Sequence, residues 1–170
     1  RALEHIEESL GNISGMLLVA GPTGSGKTTT LYALLQRLKG RERNVVTIED
    51  PVEYEVPGIN HIQIDSVHGL DFPAGIKAML RLDPDYVMVG EIRDGPSARA
   101  AVSAAASGRA LMSTLHSRDA AGVIDVLRNL GLTTHEISAN LVLVVAQRLV
   151  RTLCPHCRSE APPTEGERRW

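Results

Sequence analysis

Aromatic residues are scarce in this chain, whose 170 residues include one Phe, one Trp and three Tyr. The core must therefore be aliphatic, and the stacked aromatic platforms that hold single-stranded nucleic acid are not expected. The net charge of -2 gives no overall basic footprint for nucleic acid either. No apolar run reaches the roughly 18 residues of a membrane span, and the first residues do not resemble a signal peptide.

Cysteine is also scarce, and Cys154 and Cys157 are the two that the sequence contains. Their spacing suits a metal or redox pair better than a disulfide framework, and the expected compartment is the reducing cytosol. A length of 170 residues allows one domain with a substantial core. Because the chain begins at Arg1 rather than Met, we expect it to be a piece of a longer protein.

Apolar runs and helical patterns alternate along the sequence. Strands are predicted at 16–20, 44–48, 59–64, 86–89 and 110–115. Helices are predicted at 1–10, from the glycine-rich loop to about 39, and at 72–82, 98–107, 119–130 and 134–148. This alternation predicts an α/β fold with a mainly parallel sheet and helices on both faces. Residues 158–170 are charged and contain two prolines, so we expect a flexible or truncated tail there.

The most specific motif is GPTGSGKT at residues 21–28, which fits the phosphate-binding pattern Gly-x4-Gly-Lys-[Ser/Thr] between a predicted strand and a predicted helix. In such a loop, backbone N–H groups and a helix N-terminus converge on phosphate. Lys27 is expected to reach the β- and γ-phosphates, and the Thr28 hydroxyl to ligate Mg2+. The residues expected to contact nucleotide are Gly21, Thr23, Gly24, Ser25, Gly26, Lys27, Thr28 and Thr29.

Acidic residues follow two other predicted strands, at the edge where open α/β sheets bind ligands. Residues 49–53 contain three carboxylates, those of Glu49, Asp50 and Glu53, which can orient Mg2+ or water; a solvated acidic turn is the alternative. The strand at 86–89 ends in an atypical Walker B segment that has glycine at the usual aspartate position. Glu91 follows that glycine and is the candidate to polarise the attacking water. Arg93 can pair with a carboxylate or phosphate, or form an ordinary surface ion pair.

A histidine follows the last predicted strand. His116 lies at the end of the segment STLH, where it can sense the γ-phosphate or link the site to a neighbouring subunit. The alternative is a plain hydrogen-bonding residue at a strand end.

Taken in order, these segments resemble the secretion ATPase superfamily of type II secretion and type IV pilus motors. The motifs that carry the resemblance are GPTGSGKTTT at 21–30, TIEDPVE at 47–53, DPDYVMVGEIRD at 83–94, STLH at 113–116, AQRLVR at 146–151 and CPHC at 154–157. The match extends from about residue 15 to residue 157.

The resemblance implies a RecA-like P-loop NTPase core over 1–157 that hydrolyses ATP with Mg2+ and drives pilus or pseudopilus assembly. It also implies a homo-hexamer with nucleotide between subunits, at the cytoplasmic face of the inner membrane. The implied partners are inner-membrane platform proteins of a secretion or pilus machine, and no nucleic acid. This family carries a nucleotide-clamping domain before the core, and only about fourteen residues precede the first predicted strand here. We therefore expect weak binding and slow hydrolysis by this chain alone.

The resemblance also assigns roles by position. Glu91 is the expected catalytic carboxylate, with Glu49 and His116 beside it. Glu53 and Arg93 are assigned to the nucleotide and Mg2+ site.

The cysteine pair resembles the first half of a four-cysteine zinc knuckle, which favours the secretion and pilus-assembly branch over retraction motors. Structural zinc takes four ligands, and Cys154 and Cys157 supply two. No second pair follows before Trp170. We therefore expect free thiols, and zinc only where a second pair lies outside this chain.

Three other functions share the phosphate loop. A DNA-translocating or conjugative hexameric ATPase has the same fold but favours a basic channel or stacking aromatics. A small-molecule kinase needs an acceptor pocket, in which Glu91 and His116 have no obvious role. A nucleotide-gated scaffold would bind ATP without hydrolysing it.

Overall fold

A parallel β-sheet forms the centre of the structure. In this computed structural model the described residues are 6, 14–38, 43–166 and 168. The strands within them are β1 (Gly15–Ala20), β2 (Val45–Glu49), β3 (Asn60–Gln63), β4 (Tyr86–Val89), β5 (Ala110–Leu115) and β6 (Leu141–Ala146). Their spatial order is β3-β2-β4-β5-β1-β6, and each neighbouring pair runs parallel. The predicted parallel α/β sheet is confirmed.

Helices cover both faces of this sheet. Those in the described part of the chain are α1 (Lys27–Leu38), α2 (Phe72–Met79), α3 (Gly95–Ala106), α4 (Gly122–Asn129) and α5 (Thr134–Asn140). Short 3-10 turns occupy Ser66–His68 and Leu80–Leu82. Among the described residues, none of the helices is both long and apolar enough to cross a bilayer.

The core is divided by the sheet into two layers, because successive side chains of a strand point to opposite faces. Met16 and Leu18 of β1 pack in the layer that contains α2 and α3, whereas Leu17 and Val19 pack in the layer that contains α1. Every residue of β1, β2, β4 and β5 is buried. This explains why apolar residues occur on both faces of these strands instead of alternating with polar ones.

Most predicted elements are found, with small shifts at their ends. The strands at 86–89 and 110–115 have the predicted bounds, and the helix predicted at 72–82 ends at Met79 and continues as a 3-10 turn. Asp119 accepts the N–H of Gly122 at 2.7 Å, as a cap would, but the regular helix begins only at Gly122. The helix predicted at 1–10 lies outside the described residues, apart from Ile6.

The predicted helix at 134–148 is wrong in its second half. The helix ends at Asn140, whose side-chain amide donates to the Glu136 carbonyl at 2.8 Å. The following run, LVLVVA, is β6 and pairs with β1, with Leu143 beside Leu17 and Val145 beside Val19. Three valines in six residues favour a strand, and a short apolar run does not distinguish a helix from a strand by its periodicity.

The contact between β1 and the start of β6 predicts a marked sensitivity at Gly15. A Cβ there would lie 2.5 Å from Val142 Cγ2 and 2.8 Å from the Asn140 carbonyl oxygen, at a φ of +134°. We expect Gly15→Ala to lower the free energy of unfolding by roughly 2–5 kcal/mol, because strain and overpacking add. Urea denaturation measures this loss.

Gly108→Ala is the matched control. Gly108 also has a positive φ, +89°, but no heavy atom within 4 Å of its added Cβ. Gly108→Ala should lower the free energy of unfolding only by the contribution of backbone strain, about 1–2 kcal/mol. Equal losses in the two variants would contradict the close approach of β1 and β6.

Candidate active site

The phosphate loop connects β1 to α1 at the carboxyl edge of the sheet, so the strand–loop–helix context is confirmed. Gly24 and Gly26 adopt positive φ angles of 75° and 83°, which let the chain turn tightly before α1. The first turn of α1 contains no acidic residue, so the partial positive charge of the helix N-terminus is not neutralised there. The loop therefore offers an electropositive backbone surface.

A cleft of about 480 Å³ opens beside this loop. From the loop, Thr23, Gly24 and residues 26–29 line the cleft. Two loop residues do not line this cleft. Gly21 lines a neighbouring cavity, and Ser25 is buried, with 3% of its surface exposed. The Ser25 hydroxyl has no hydrogen-bond partner among the described residues.

The ends of three neighbouring strands complete the cleft. Glu49 and Glu53 line it from β2 and the segment after it, Glu91 from the segment after β4, and His116 from the residue after β5. The sheet thus brings together the three acidic residues and the histidine that the sequence analysis selected. Asp50, the remaining carboxylate of the acidic segment 49–53, also lines the cleft.

Lys27 lies at the floor of the loop and is nearly buried, with 9% of its surface exposed. Its ammonium group donates to the carbonyls of Gly21 at 3.1 Å and Pro22 at 3.0 Å. Burial lowers the pKa of Lys27, and the negative charge of Glu91 partly opposes that shift. The loop therefore holds Lys27 close enough to Glu91 for their charges to interact.

Glu91 belongs to a charged cluster at the mouth of the cleft. Its carboxylate forms an ion pair with the Arg93 guanidinium, and His116 Nε2 lies 3.8 Å from its other oxygen. Arg93 also reaches Asp50, with 3.6 Å between Nη1 and Oδ2. The hydrogen bond to Glu91 raises the pKa of Arg93 above its usual value. The Glu91 side chain is 23% exposed, so it is oriented by its partners but open to solvent.

Glu49 has a different environment, because it is 2% exposed and both its carboxylate oxygens have donors. The Tyr32 hydroxyl donates to Oε2 at 2.5 Å, and the Thr47 hydroxyl donates to Oε1 at 2.7 Å. His61 Nδ1 lies 3.1 Å from Oε1. Burial and the hydrogen bond to Glu49 raise the pKa of Tyr32. We call Tyr32, Thr47, Glu49 and His61 the buried network.

The tautomer of His61 follows from its second nitrogen. The backbone N–H of Val56 donates to Nε2 at 3.0 Å, so Nε2 carries no proton. The proton of the neutral ring is therefore on Nδ1, facing Glu49. Sequence analysis missed Tyr32 and His61, since Tyr32 lies in an apolar helical run and His61 in a short edge strand. No local pattern links either residue to Glu49.

Asp94 fixes the segment that carries Glu91 and Arg93. It is the N-cap of α3, and its carboxylate accepts the Ser97 N–H at 2.8 Å. Hydrogen bonds from the Ser97 side chain and backbone lower the pKa of Asp94. The helix predicted at 98–107 is found as α3, which begins three residues earlier at Gly95 and has Pro96 in its first turn.

The cysteine pair lies away from the cleft. Cys154 and Cys157 are both exposed, and hydrogen bonds from the backbone of His156 and from Cys157 lower the pKa of Cys154. Across the described residues, no group of three or more His, Cys, Asp or Glu side chains is arranged to hold a metal ion.

Comparison with known proteins places these features in a family. A family model described as type II/IV secretion system protein matches residues 1–170. The chain belongs to this family. Type II secretion system protein E of Klebsiella pneumoniae is 49% identical over 160 residues, which cover 94% of this chain and 32% of that protein.

Pilus motors of the type II/IV secretion family are similar as well. The type IV pilus assembly ATPase PilB of Myxococcus xanthus is 47% identical over 159 residues, covering 94% of this chain and 28% of that protein. This chain therefore spans about a third of the length of these curated relatives. The structure of the pilus retraction motor PilT with bound ADP has a TM-score of 0.76 at 30% identity, covering 86% of this chain and 46% of that one. The predicted RecA-like ATPase fold is thereby confirmed for this type II/IV secretion system protein.

The buried network generates one prediction. Tyr32→Phe removes one donor from a buried carboxylate, and we expect a loss of about 1–3 kcal/mol in the free energy of unfolding. Tyr54→Phe is the control, because Tyr54 stacks on Tyr32 at 4.1 Å but is 48% exposed. It should cost less than about 0.5 kcal/mol. Chemical denaturation compares the two, and a loss no greater at Tyr32 would refute the hydrogen bond's contribution.

Asp94 generates a pH prediction. Because its pKa is lowered in the folded state, its stabilisation is present above the unfolded pKa of about 3.9 and is lost as pH falls through the folded pKa. Asp94→Ala should therefore lower unfolding free energy by about 1 kcal/mol near neutral pH, and by less at acid pH. Thermal or urea unfolding from about pH 6 to about pH 3 measures the difference.

Asp94→Asn is the matched control, since asparagine caps helices equally well but does not titrate. It should match the unsubstituted chain near neutral pH and lose less stability on acidification. If the difference in unfolding free energy between Asp94→Asn and the unsubstituted chain stays constant across the pH range, Asp94 does not cap α3 as a carboxylate.

Proposed function

We propose that the cleft binds ATP with Mg2+ and hydrolyses it, and that the protein powers pseudopilus or pilus assembly in type II secretion or type IV pilus biogenesis. The observation that carries the proposal is the convergence of the phosphate loop, Glu91 and His116 on one cleft. Membership of the type II/IV secretion family supports the same reading. Among the relatives, PilB is named an ATPase and the PilT structure contains ADP.

The residues of the cleft suit a triphosphate and its cation. The N–H groups of residues 23, 24 and 26–28 and the ammonium of Lys27 provide positive charge for the β- and γ-phosphates. The hydroxyl of Thr28 and the carboxylates of Glu53 and Asp50 line the same cleft, and these are the hard oxygen donors that Mg2+ prefers. When bound, Mg2+ neutralises charge on the phosphate oxygens. Thr29 and Arg93 complete the proposed nucleotide set.

Glu91 is the proposed base. Its carboxylate is fixed by Arg93 and lies near His116, yet it stays open to solvent. It can therefore orient a water for attack on the γ-phosphorus and accept its proton, while the bond to the ADP oxygen breaks. His116 would sense the transferred phosphate through Glu91.

We propose that Glu49 contributes to the site indirectly, through the residues that it holds in place. Its oxygens already accept bonds from Tyr32 and Thr47, which favours a role in holding the end of β2 over direct activation of water. That end carries Asp50, which in turn pairs with Arg93. Glu49 would thus act on Glu91 through a chain of contacts.

The assembly is proposed from the family alone. We propose a homo-hexamer with nucleotide between subunits, working at the cytoplasmic face of the inner membrane on platform proteins of a secretion or pilus machine. Zinc at Cys154 and Cys157 is proposed only together with two further ligands from outside this chain.

Substitution of Glu91 tests the catalytic proposal. Glu91→Gln should keep ATP affinity within about twofold and reduce phosphate release from ATP, with no acceptor added, by about 100-fold or more. Lys27→Ala should instead lose ATP binding. Glu55→Gln, an exposed neighbour outside the cleft, is the matched control and should leave both unchanged. Phosphate release by Glu91→Gln at the unsubstituted rate would overturn its role as base, and phosphate release only with an acceptor would favour a kinase.

A further inference from the structure

Gln147, the residue after β6, contacts the phosphate loop at its beginning, middle and end. Its backbone N–H donates to the Ala20 carbonyl at 2.8 Å, where β1 enters the loop. Its side-chain Nε2 donates to the Ser25 carbonyl at 2.7 Å, within the loop. Its Oε1 accepts the Thr30 hydroxyl at 2.7 Å, in the first turn of α1. These residues are separated from Gln147 by more than a hundred positions in the chain.

The two side-chain contacts require an amide. A carbonyl oxygen can only accept, so the group that faces Ser25 must be a donor. The other end of the same side chain then accepts the proton of the Thr30 hydroxyl. Glutamine supplies both at once, whereas glutamate, of equal size, has no donor for Ser25 at neutral pH.

The bond to Ser25 also fixes a neighbouring group. The peptide between Ser25 and Gly26 is trans, since Asp50-Pro51 is the cis bond recorded among the described residues. In a planar trans peptide the C=O and the next N–H point in opposite directions. Holding the Ser25 carbonyl on Gln147 therefore turns the N–H of Gly26 away from Gln147. Gly26 itself lines the cleft.

The fit around Gln147 is close. A Cβ added to Gly26 would lie 2.9 Å from Gln147 Nε2. A larger residue at position 26 would therefore have to displace the Gln147 amide from this position. Rotation of this peptide would break the 2.7 Å hydrogen bond between Gln147 Nε2 and the Ser25 carbonyl.

We propose that Gln147 is a positioning residue for the nucleotide site: its amide clamps the phosphate loop so that the Gly26 N–H is set for phosphate. The inference rests on the proposed function, namely that this loop binds the phosphates of ATP. It adds that the segment leaving β6 holds the loop in its binding conformation. Gln147 itself touches no reacting atom.

Gln147→Glu tests the clamp, because it keeps an acceptor for Thr30 but removes the donor to Ser25. We expect the dissociation constant of a fluorescent ATP analogue and the KM for ATP to rise about tenfold, as for one or two lost hydrogen bonds. The kcat at saturating ATP should change by less than about threefold, since Glu91, Arg93 and His116 are untouched. If Gln147 has a purely structural role, Gln147→Glu should lower the melting temperature, and the KM for ATP should not rise while kcat stays nearly constant.

Two further variants make the test decisive. Gln36→Glu places the same charge change on an exposed position of α1 and should leave ATP affinity within twofold. Thr30→Val removes the other end of the clamp without adding charge, and should raise the KM about threefold to tenfold. It also serves if Gln147→Glu does not fold.

The outcomes separate the two proposals. If the unsubstituted chain does not bind the ATP analogue, the proposed function fails, and this inference fails with it. If the unsubstituted chain binds and both clamp variants bind within twofold of it, the proposed function stands and the role of Gln147 is overturned. A raised KM in both clamp variants, with Gln36→Glu unchanged, supports the inference.

Discussion

Parallel pairing of the strands is the constraint on which the rest of the structure depends. Because each neighbouring pair in the order β3-β2-β4-β5-β1-β6 runs parallel, the carboxyl ends of the strands lie at one edge. Residues from β1, β2, β4 and β5 are distant in sequence, yet the segments that follow these strands line a single cleft. Backbone hydrogen bonds therefore determine where the chemistry can occur, and the side chains determine what it is.

Two glutamates at neighbouring strand ends illustrate this division. Glu49 is buried and its oxygens are fully engaged by Tyr32, Thr47 and His61, whereas Glu91 is partly open and held by charge from one side. The same side chain thus occurs in two environments at one edge of the sheet. The Glu49 carboxylate is enclosed by its hydrogen-bond partners, and the Glu91 carboxylate keeps contact with solvent.

The sequence predicted well those parts whose signals are local. The phosphate loop needs particular residues at fixed spacing, and the strands at 86–89 and 110–115 are mainly apolar runs bounded by turn residues, so these were located correctly. Glu91 and Arg93 were selected because they follow a strand, and the structure brings the two into contact as an ion pair, while their roles stay predictions. Long-range packing decided the rest. Whether 141–146 is helix or strand depends on the open edge of β1, which no local pattern reveals. The same limit hid Tyr32 and His61, whose link to Glu49 exists only after the sheet has formed.

The strand order also has a consequence for the synthesis of the chain. β1 precedes the other strands, but its partners are β5, which begins at Ala110, and β6, which begins at Leu141. At roughly 5–20 residues per second, a translating ribosome takes on the order of ten seconds to deliver those partners. During that interval the aliphatic β1 is a nascent segment without its sheet neighbours, open to chaperones and to aggregation. The phosphate loop acquires its contacts with Gln147 only after all six of these strands have been synthesised.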